Sequence, residues 1–266
     1  MKPIRVALSG SGFLLPAHVG ALRAVESAGF SPIEYAGTSG GSIVAMLAAA
    51  GMNLADLEKL ALTFDWSPMM SFSLINLARM KSYSSGQPLL DFLMRETGGM
   101  SFRGLSVQLK IMASNIGTKA PFVFSNELTP DAQIALAARA SACIPGIYDP
   151  VIIGNAILFD GGMVNNMPSD ILVRDEVPRI GVDLLPDQTP MLPEDYSMLK
   201  ALPRFIDMLL SSSEDAHISE GEASGVKIIQ VNTGDAKSLD RTMCFATRQR
   251  LFSAGYETTL DALNGL

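Results

Sequence analysis

Two short apolar runs, Ile4 to Leu8 and Ile33 to Ala36, each stop at a glycine-rich turn and pass directly into a helical stretch. The first turn is Ser9-Gly10-Ser11-Gly12, and the helix after it carries Ala17, Gly20, Ala21, Ala24 and Val25 before a break at Gly29. The second is Gly37-Thr38-Ser39-Gly40-Gly41, and its alanine-rich helix runs through Ala50 to Gly51. A continuous apolar strand joined to a helix by a tight turn is the repeating unit of a mostly parallel sheet with helices on its faces. The rest of the chain agrees. Leu109 to Ala113, Phe122 to Phe124, Ile180 to Leu184 and Val226 to Val231 read as strands, and Val151 to Ile153 and Ala156 to Phe159 as a hairpin around Gly154-Asn155.

Helices are expected between Leu54 and Gly98, broken at Pro68, Gly86 and Pro88, over Leu199 to Leu210, and from Arg241 to the C-terminus. Thr129-Pro130-Asp131 reads as an N-cap opening a helix to Ala142. No linker composition separates these parts, so residues 1–266 are expected to form a single domain.

Composition removes several function classes. Charged residues make up 18% of the chain, with 27 acidic against 20 basic and a net charge of −7, and no basic block stands out, so nucleic acid is not an expected partner. The same balance means that any contact with a membrane surface would be peripheral and driven by apolar groups. The longest strongly apolar stretch, Ile43 to Met52, is far short of the roughly 20 residues that span a bilayer. With no signal h-region and two cysteines too few for a disulfide framework, a cytoplasmic protein is expected. Cys143 reads as a small buried residue. No clustered His, Cys or acidic ligand set is visible, so neither a metal nor another cofactor is expected.

Gly37-Thr38-Ser39-Gly40-Gly41 has the G-x-S-x-G form in which a serine is presented on a sharp strand-to-helix turn. Its bland reading is a tight turn with a serine helix cap. The strand before it and the helix after it favour Ser39 as a nucleophile. A base has to come from elsewhere, and His18 and His217 are the only histidines. His18 falls in the first helix as a satisfied helix residue, and His217 among serines and acids on a solvated face. Asp160 ends a strand and is followed by Gly161-Gly162, so its carboxylate is the better candidate, provided that burial raises its pKa from about 3.9. Gly10, Ser11, Gly12 and Phe13 are placed to offer backbone N–H groups to a developing oxyanion. A dinucleotide fingerprint fails there because Leu15 stands at the third glycine.

These parts, in this order, resemble the patatin-like phospholipase family. Ala17-His18-Val19-Gly20-Ala21-Leu22-Arg23 is similar to the family's first helix, and Ala138-Arg139-Ala140-Ser141-Ala142-Cys143-Ile144-Pro145-Gly146 to its segment before the catalytic Asp. The resemblance covers about residues 4 to 185, with the remainder in the same domain. It implies a three-layer α/β/α fold around a mostly parallel central sheet, a Ser39–Asp160 dyad without histidine, and metal-independent hydrolysis of lipid acyl esters through an acyl-enzyme. Alternatives are a catalytically impaired lipid-binding or regulatory relative and, from another class, a nucleotide-binding module.

The loop departs from the family pattern at Ser11, Leu14 and Leu15, and Leu14 removes a basic side chain. A simple acyl ester or a lysophospholipid is therefore as plausible a substrate as a diacyl phospholipid. The apolar patch from Trp66 to Met80 has two readings, a lid or lipid-entry surface and a core or dimer contact.

Overall fold

The computed structural model describes residues 1–70, 72, 82–185, 187 and 189–264. Most of the expected patch from Trp66 to Met80 lies outside the described residues, although Trp66 and Met70 are buried. Eight strands form one mixed, mostly parallel sheet: β1 (Lys2–Leu8), β2 (Phe30–Thr38), β3 (Gln108–Asn115), β4 (Ala120–Ser125), β5 (Val151–Ile153), β6 (Ala156–Asp160), β7 (Arg179–Leu185) and β8 (Lys227–Asn232). The order is β5-β6-β3-β2-β1-β7-β8, with β4 also paired to β3.

The central run β3-β2-β1-β7-β8 is parallel, while β4 and β6 lie antiparallel to β3 and β5 antiparallel to β6. Because β4 occupies one side of β3, both β2 and β6 use the other, β2 along its first part and β6 along its end. Thr38 pairs with Met112, and Asp160 with the next residue, Ala113. Two strands distant in sequence thus meet nearly end to end along β3.

Side chains of β1 alternate between the faces, as strand geometry requires. Ile4, Val6 and Leu8 enter the larger core, which α1 (Leu15–Ser27), α2 (Ser39–Ala49) and the C-terminal helix cover, while Ala7 enters a smaller one with Ala36, Met167 and Leu172. These two cores and the sheet between them make the three layers of the α/β/α fold. Among the described residues the other helices are α3 (Leu54–Thr63), α4 (Gln87–Thr97), α5 (Ile134–Ser141), α6 (Met198–Leu210), α7 (Glu214–Ala223) and α8 (Phe245–Leu263). Helix α8 lies so close on α1 that a Cβ at Gly20 would overlap the Phe252 carbonyl, and one at Gly255 the Ala17 carbonyl.

One charge buried on the sheet is paired on both sides. Glu34 of β2, completely buried, meets Arg5 of β1 at 2.7 Å and Lys110 of β3 at 2.8 Å, and also accepts from the Val173 N–H. Removing one partner of such a group leaves an uncompensated charge, at a cost of about 3–5 kcal/mol.

Two expectations need correction. The helix expected from Thr129 begins at Ile134, with Gln133 at its cap. Residues 130–134 are held against residues 100–103 by a bridge from Ser101 to Gln133 and hydrogen bonds from Phe102 N to Ala132 O and from Ile134 N to Met100 O. Thr129 instead closes a turn with Ser125. Helix α7 was not expected, because Glu214–Ala223 is polar and lacks an apolar period.

Candidate active site

Strand β2 ends at Thr38, and the backbone turns so sharply into α2 that Ser39 has φ of 48°. A non-glycine residue at positive φ is strained by its own Cβ. The turn is held from three sides. Ser141 of α5 accepts the Ser39 N–H at 2.8 Å, Ser42 donates to the Ser39 carbonyl at 2.6 Å, and Thr38 donates to the Asn165 carbonyl at 2.8 Å. Gly41 lets α2 approach the first loop, since a Cβ there would overlap the Ser9 carbonyl.

Asp160 arrives from the end of β6. Ser39 Oγ donates to Asp160 Oδ2 at 2.7 Å, and the Gly162 N–H donates to Oδ1 at 2.9 Å. The carboxyl group is completely buried. Burial raises its pKa to about 7, against the lowering effect of those two hydrogen bonds. The sequence reading asked for partial burial, and the structure goes further. A carboxylate with a pKa near neutrality is well matched to accept a proton at neutral pH.

Neither histidine touches this pair. His18 is buried in α1 and its Nε2 donates to the Ser9 carbonyl at 2.9 Å, while burial lowers its pKa to about 4. His217 of α7 is half-buried on an otherwise largely exposed helix. Its Nε2 donates to the Val164 carbonyl at 2.9 Å, and its Nδ1 lies 3.6 Å from Asp170. Asp170, His217 and Glu220 each offer a ligand atom within 4.8 Å of the others, a grouping that distance along the chain concealed from the sequence reading.

The loop between β1 and α1 borders Ser39, but its four expected donors are not equivalent. Gly10 N–H is already donated to the Asn166 carbonyl at 2.9 Å, and Phe13 N–H to the Ser238 carbonyl at 2.7 Å. Gly10 and Phe13 therefore brace the loop. Ser11 and Gly12 have no acceptor for their N–H groups among the described residues. The Ser11 hydroxyl is also buried without a partner. Gly12 has φ of 54° and sits against the Ser238 carbonyl, so a side chain is excluded both by conformation and by space.

Two clefts converge on Ser39, which is itself only 4% exposed. One is apolar, bounded by Phe13, Ile43, Trp66, Met70, Leu89 and Tyr148. The other is more polar than the first and includes Ser11, Asn166, Asp207 and Glu214. Asn166 donates to Glu214 at 2.6 Å, and burial together with Asp183 raises the Glu214 pKa to about 8. Ser141, Asn166 and Glu214 were not singled out in the sequence. Ser141 lay inside a quoted stretch, but no spacing rule connects it to Ser39.

Fold and site define the class: an α/β/α protein with a strained serine on a strand-to-helix turn, hydrogen-bonded to a buried carboxyl group. The chain belongs to the patatin-like phospholipase family, whose model, described as Patatin-like phospholipase, matches residues 6–173. An uncharacterized protein of Acanthamoeba polyphaga mimivirus is 25% identical over 95% of this chain and 91% of its own length. A lysophospholipase, nte1, of Aspergillus fumigatus is also 25% identical, over 72% of this chain but only 12% of its own length. Among solved structures, VipD from Legionella pneumophila superposes with a TM-score of 0.65 at 16% identity, covering 99% of this chain and 67% of that one. That likeness shows the fold alone.

Proposed function

We propose that this chain hydrolyses acyl esters of lipids, with Ser39 as nucleophile and Asp160 as base. The observation that carries the reading is the 2.7 Å hydrogen bond from Ser39 Oγ to a carboxyl group whose burial raises its pKa. Family membership and the relative named as a lysophospholipase support the substrate class.

Ser39 Oγ attacks the ester carbonyl carbon as its proton passes to Asp160 Oδ2. The carbonyl oxygen takes up the negative charge and is held by the free N–H groups of Ser11 and Gly12, with the Ser11 hydroxyl as a third donor. Collapse of this intermediate breaks the ester C–O bond, and the alcohol leaves with the proton from Asp160. Water then attacks the acyl-enzyme, gives its proton to Asp160, and the fatty acid departs as Ser39 recovers that proton. The apolar cleft suits the acyl chain and the polar cleft the alcohol. No step calls on a metal, because the loop donors supply the charge stabilisation.

The altered loop keeps two uncommitted N–H groups and adds a hydroxyl, which favours an active enzyme over an impaired relative. The close packing of α8 on α1 supports one hydrolase domain through the C-terminal helix. The test is a screen of acyl length and headgroup, with a fluorophosphonate probe and Ser39→Ala alongside. Turnover with covalent labelling at Ser39 is the expected result. Labelling and hydrolysis that survive Ser39→Ala would overturn the assignment.

A further inference from the structure

Helix α6 buries Ala201 and Ile206 yet leaves most of its large apolar side chains exposed, unlike an ordinary surface helix. In a protein surrounded by water the apolar stripe faces the core and the charged face looks outward. Here Met198, Leu202, Phe205, Met208 and Leu209 all face solvent, with Phe205 52% and Met208 69% exposed. At 100° per residue these five fall within about a third of the helix circumference. Tyr196 and Leu192, just before the helix, are also exposed, with Glu194 and Asp195 between them.

The polar side chains turn the other way. Asp207 accepts from Ser238 Oγ at 2.7 Å, and Arg204 donates to the Thr189 carbonyl at 2.6 Å. Asp207 and Leu210, on the inner side of α6, line the polar cleft that contains Ser39. On the other flank, Leu202 of the exposed stripe and Ile206 line a groove with Met70 and Leu239, which also line the apolar cleft at Ser39, so the apolar face adjoins that cleft.

We propose that the outer face of α6 seats in the apolar layer of a zwitterionic lipid surface and holds the mouth of the Ser39 cleft against it. The inference rests on the lipid-hydrolase reading, and three observations select this occupant. The face adjoins the apolar cleft at Ser39 into which an acyl chain must be drawn. No acidic side chain interrupts the stripe, and a chain of net charge −7 favours a zwitterionic over an anionic surface. Finally, α6 has 13 residues, and no helix among the described residues is long and apolar enough to cross a membrane, so α6 would lie in the plane of the interface.

The test compares the full chain with a Phe205→Ser/Met208→Ser variant. Partition onto phosphatidylcholine vesicles is measured by cosedimentation, and hydrolysis of a water-soluble short-chain ester is measured in the same samples. The expected result is a loss of vesicle partition of about tenfold or more, given the apolar area withdrawn, with short-chain turnover unchanged. Equal partition of the two proteins overturns the proposal. So does binding that requires anionic lipid and vanishes with salt, or sedimentation showing that the wild type dimerises through this face and the variant does not.

Should the double variant fold poorly, Phe205→Trp gives an independent readout. Its fluorescence should shift to the blue on adding vesicles, against the already buried Trp66, and the absence of a shift also overturns the proposal. Failure of the catalytic reading is separate, since it would abolish short-chain hydrolysis in the wild type whatever the vesicles show.

Discussion

Ser39 Oγ donates to Asp160 Oδ2 at 2.7 Å although 121 residues separate them, because β2 and β6 end against each other on one side of β3. The register that pairs Thr38 with Met112 and Asp160 with Ala113 puts the serine one residue beyond a parallel strand and the aspartate at the end of an antiparallel one. The sheet itself aligns the serine with the buried carboxyl group.

The strain at Ser39 gives a prediction in which two equally inactive variants differ in stability. Ser39→Gly and Ser39→Ala both delete the Oγ bond to the buried Asp160, but only glycine relieves the positive φ, so Ser39→Gly should be the more stable of the two by about 1 kcal/mol. Both should reduce ester hydrolysis by at least about 10⁴-fold, since neither retains a nucleophile. A glycine variant that melts below Ser39→Ala would show that the turn is not strained.

Ser11 allows the roles of side chain and backbone in the loop to be separated. Ser11→Gly removes the buried, unpartnered hydroxyl but keeps the free N–H. It should lower kcat by about tenfold with little change in KM, less than the roughly 10²–10³ expected for a complete oxyanion donor in a preorganised site. A change confined to KM would assign this hydroxyl to substrate binding. Gly12→Val should be far more damaging, because positive φ and the nearby Ser238 carbonyl both oppose a side chain.

Both members of the pair were legible because their signals are local. A strand, a G-x-S-x-G turn and a helix are contiguous in sequence, as are a strand and Asp160-Gly161-Gly162. What brings them together is the pairing of β6 with the far end of β3, and no local pattern encodes that register. The same distinction explains why Ser141 was missed and why Gly10 and Phe13 could not be told from Ser11 and Gly12. Whether an N–H is free depends on Asn166 and Ser238, which come from distant segments. The Thr129 cap was misplaced because long-range pairing with residues 100–103 overrode a local helix signal. Helix α7 escaped because it presents little beyond Ile218 to the core, so periodicity had nothing to detect.

The histidines supply a test of the base. His217→Gln should retain hydrolysis within about twofold, since the ring bonds to Val164 O and faces Asp170 rather than Ser39. His18→Gln should lose about 1–3 kcal/mol of stability, because a buried ring anchored on Ser9 O is replaced, yet keep its turnover per folded molecule. Chelation with EDTA should not change the rate of either variant or of wild type. An inactive but folded His217→Gln, or a rate lost on EDTA and restored by a divalent ion, would move the chemistry toward the Asp170, His217 and Glu220 group.

Asp160 links pH to both rate and stability, and the two respond with opposite sign. Its pKa is raised from 3.8 to about 7, chiefly by burial. The carboxylate accepts the serine proton only when ionised, so hydrolysis should rise through about pH 7 and reach a plateau above it. Stability runs the other way. Below pH 3.8 the group is protonated in both folded and unfolded chains and contributes no pH dependence. Between about pH 4 and 7 the unfolded chain ionises while the folded one holds its proton, so stability falls with rising pH and levels off above 7. The penalty at neutral pH is a few kcal/mol, on the order of 1.4 for each unit of pKa difference. Asp160→Asn removes it while allowing the amide to bond both Gly162 N–H and Ser39 Oγ. The variant should therefore be inactive at every pH, more stable than wild type at pH 8, and nearly equal to it at pH 4. Denaturant unfolding at the two pH values measures the difference. A variant no more stable than wild type at pH 8 would mean that the native site compensates the ionised carboxylate, and that burial does not set its pKa.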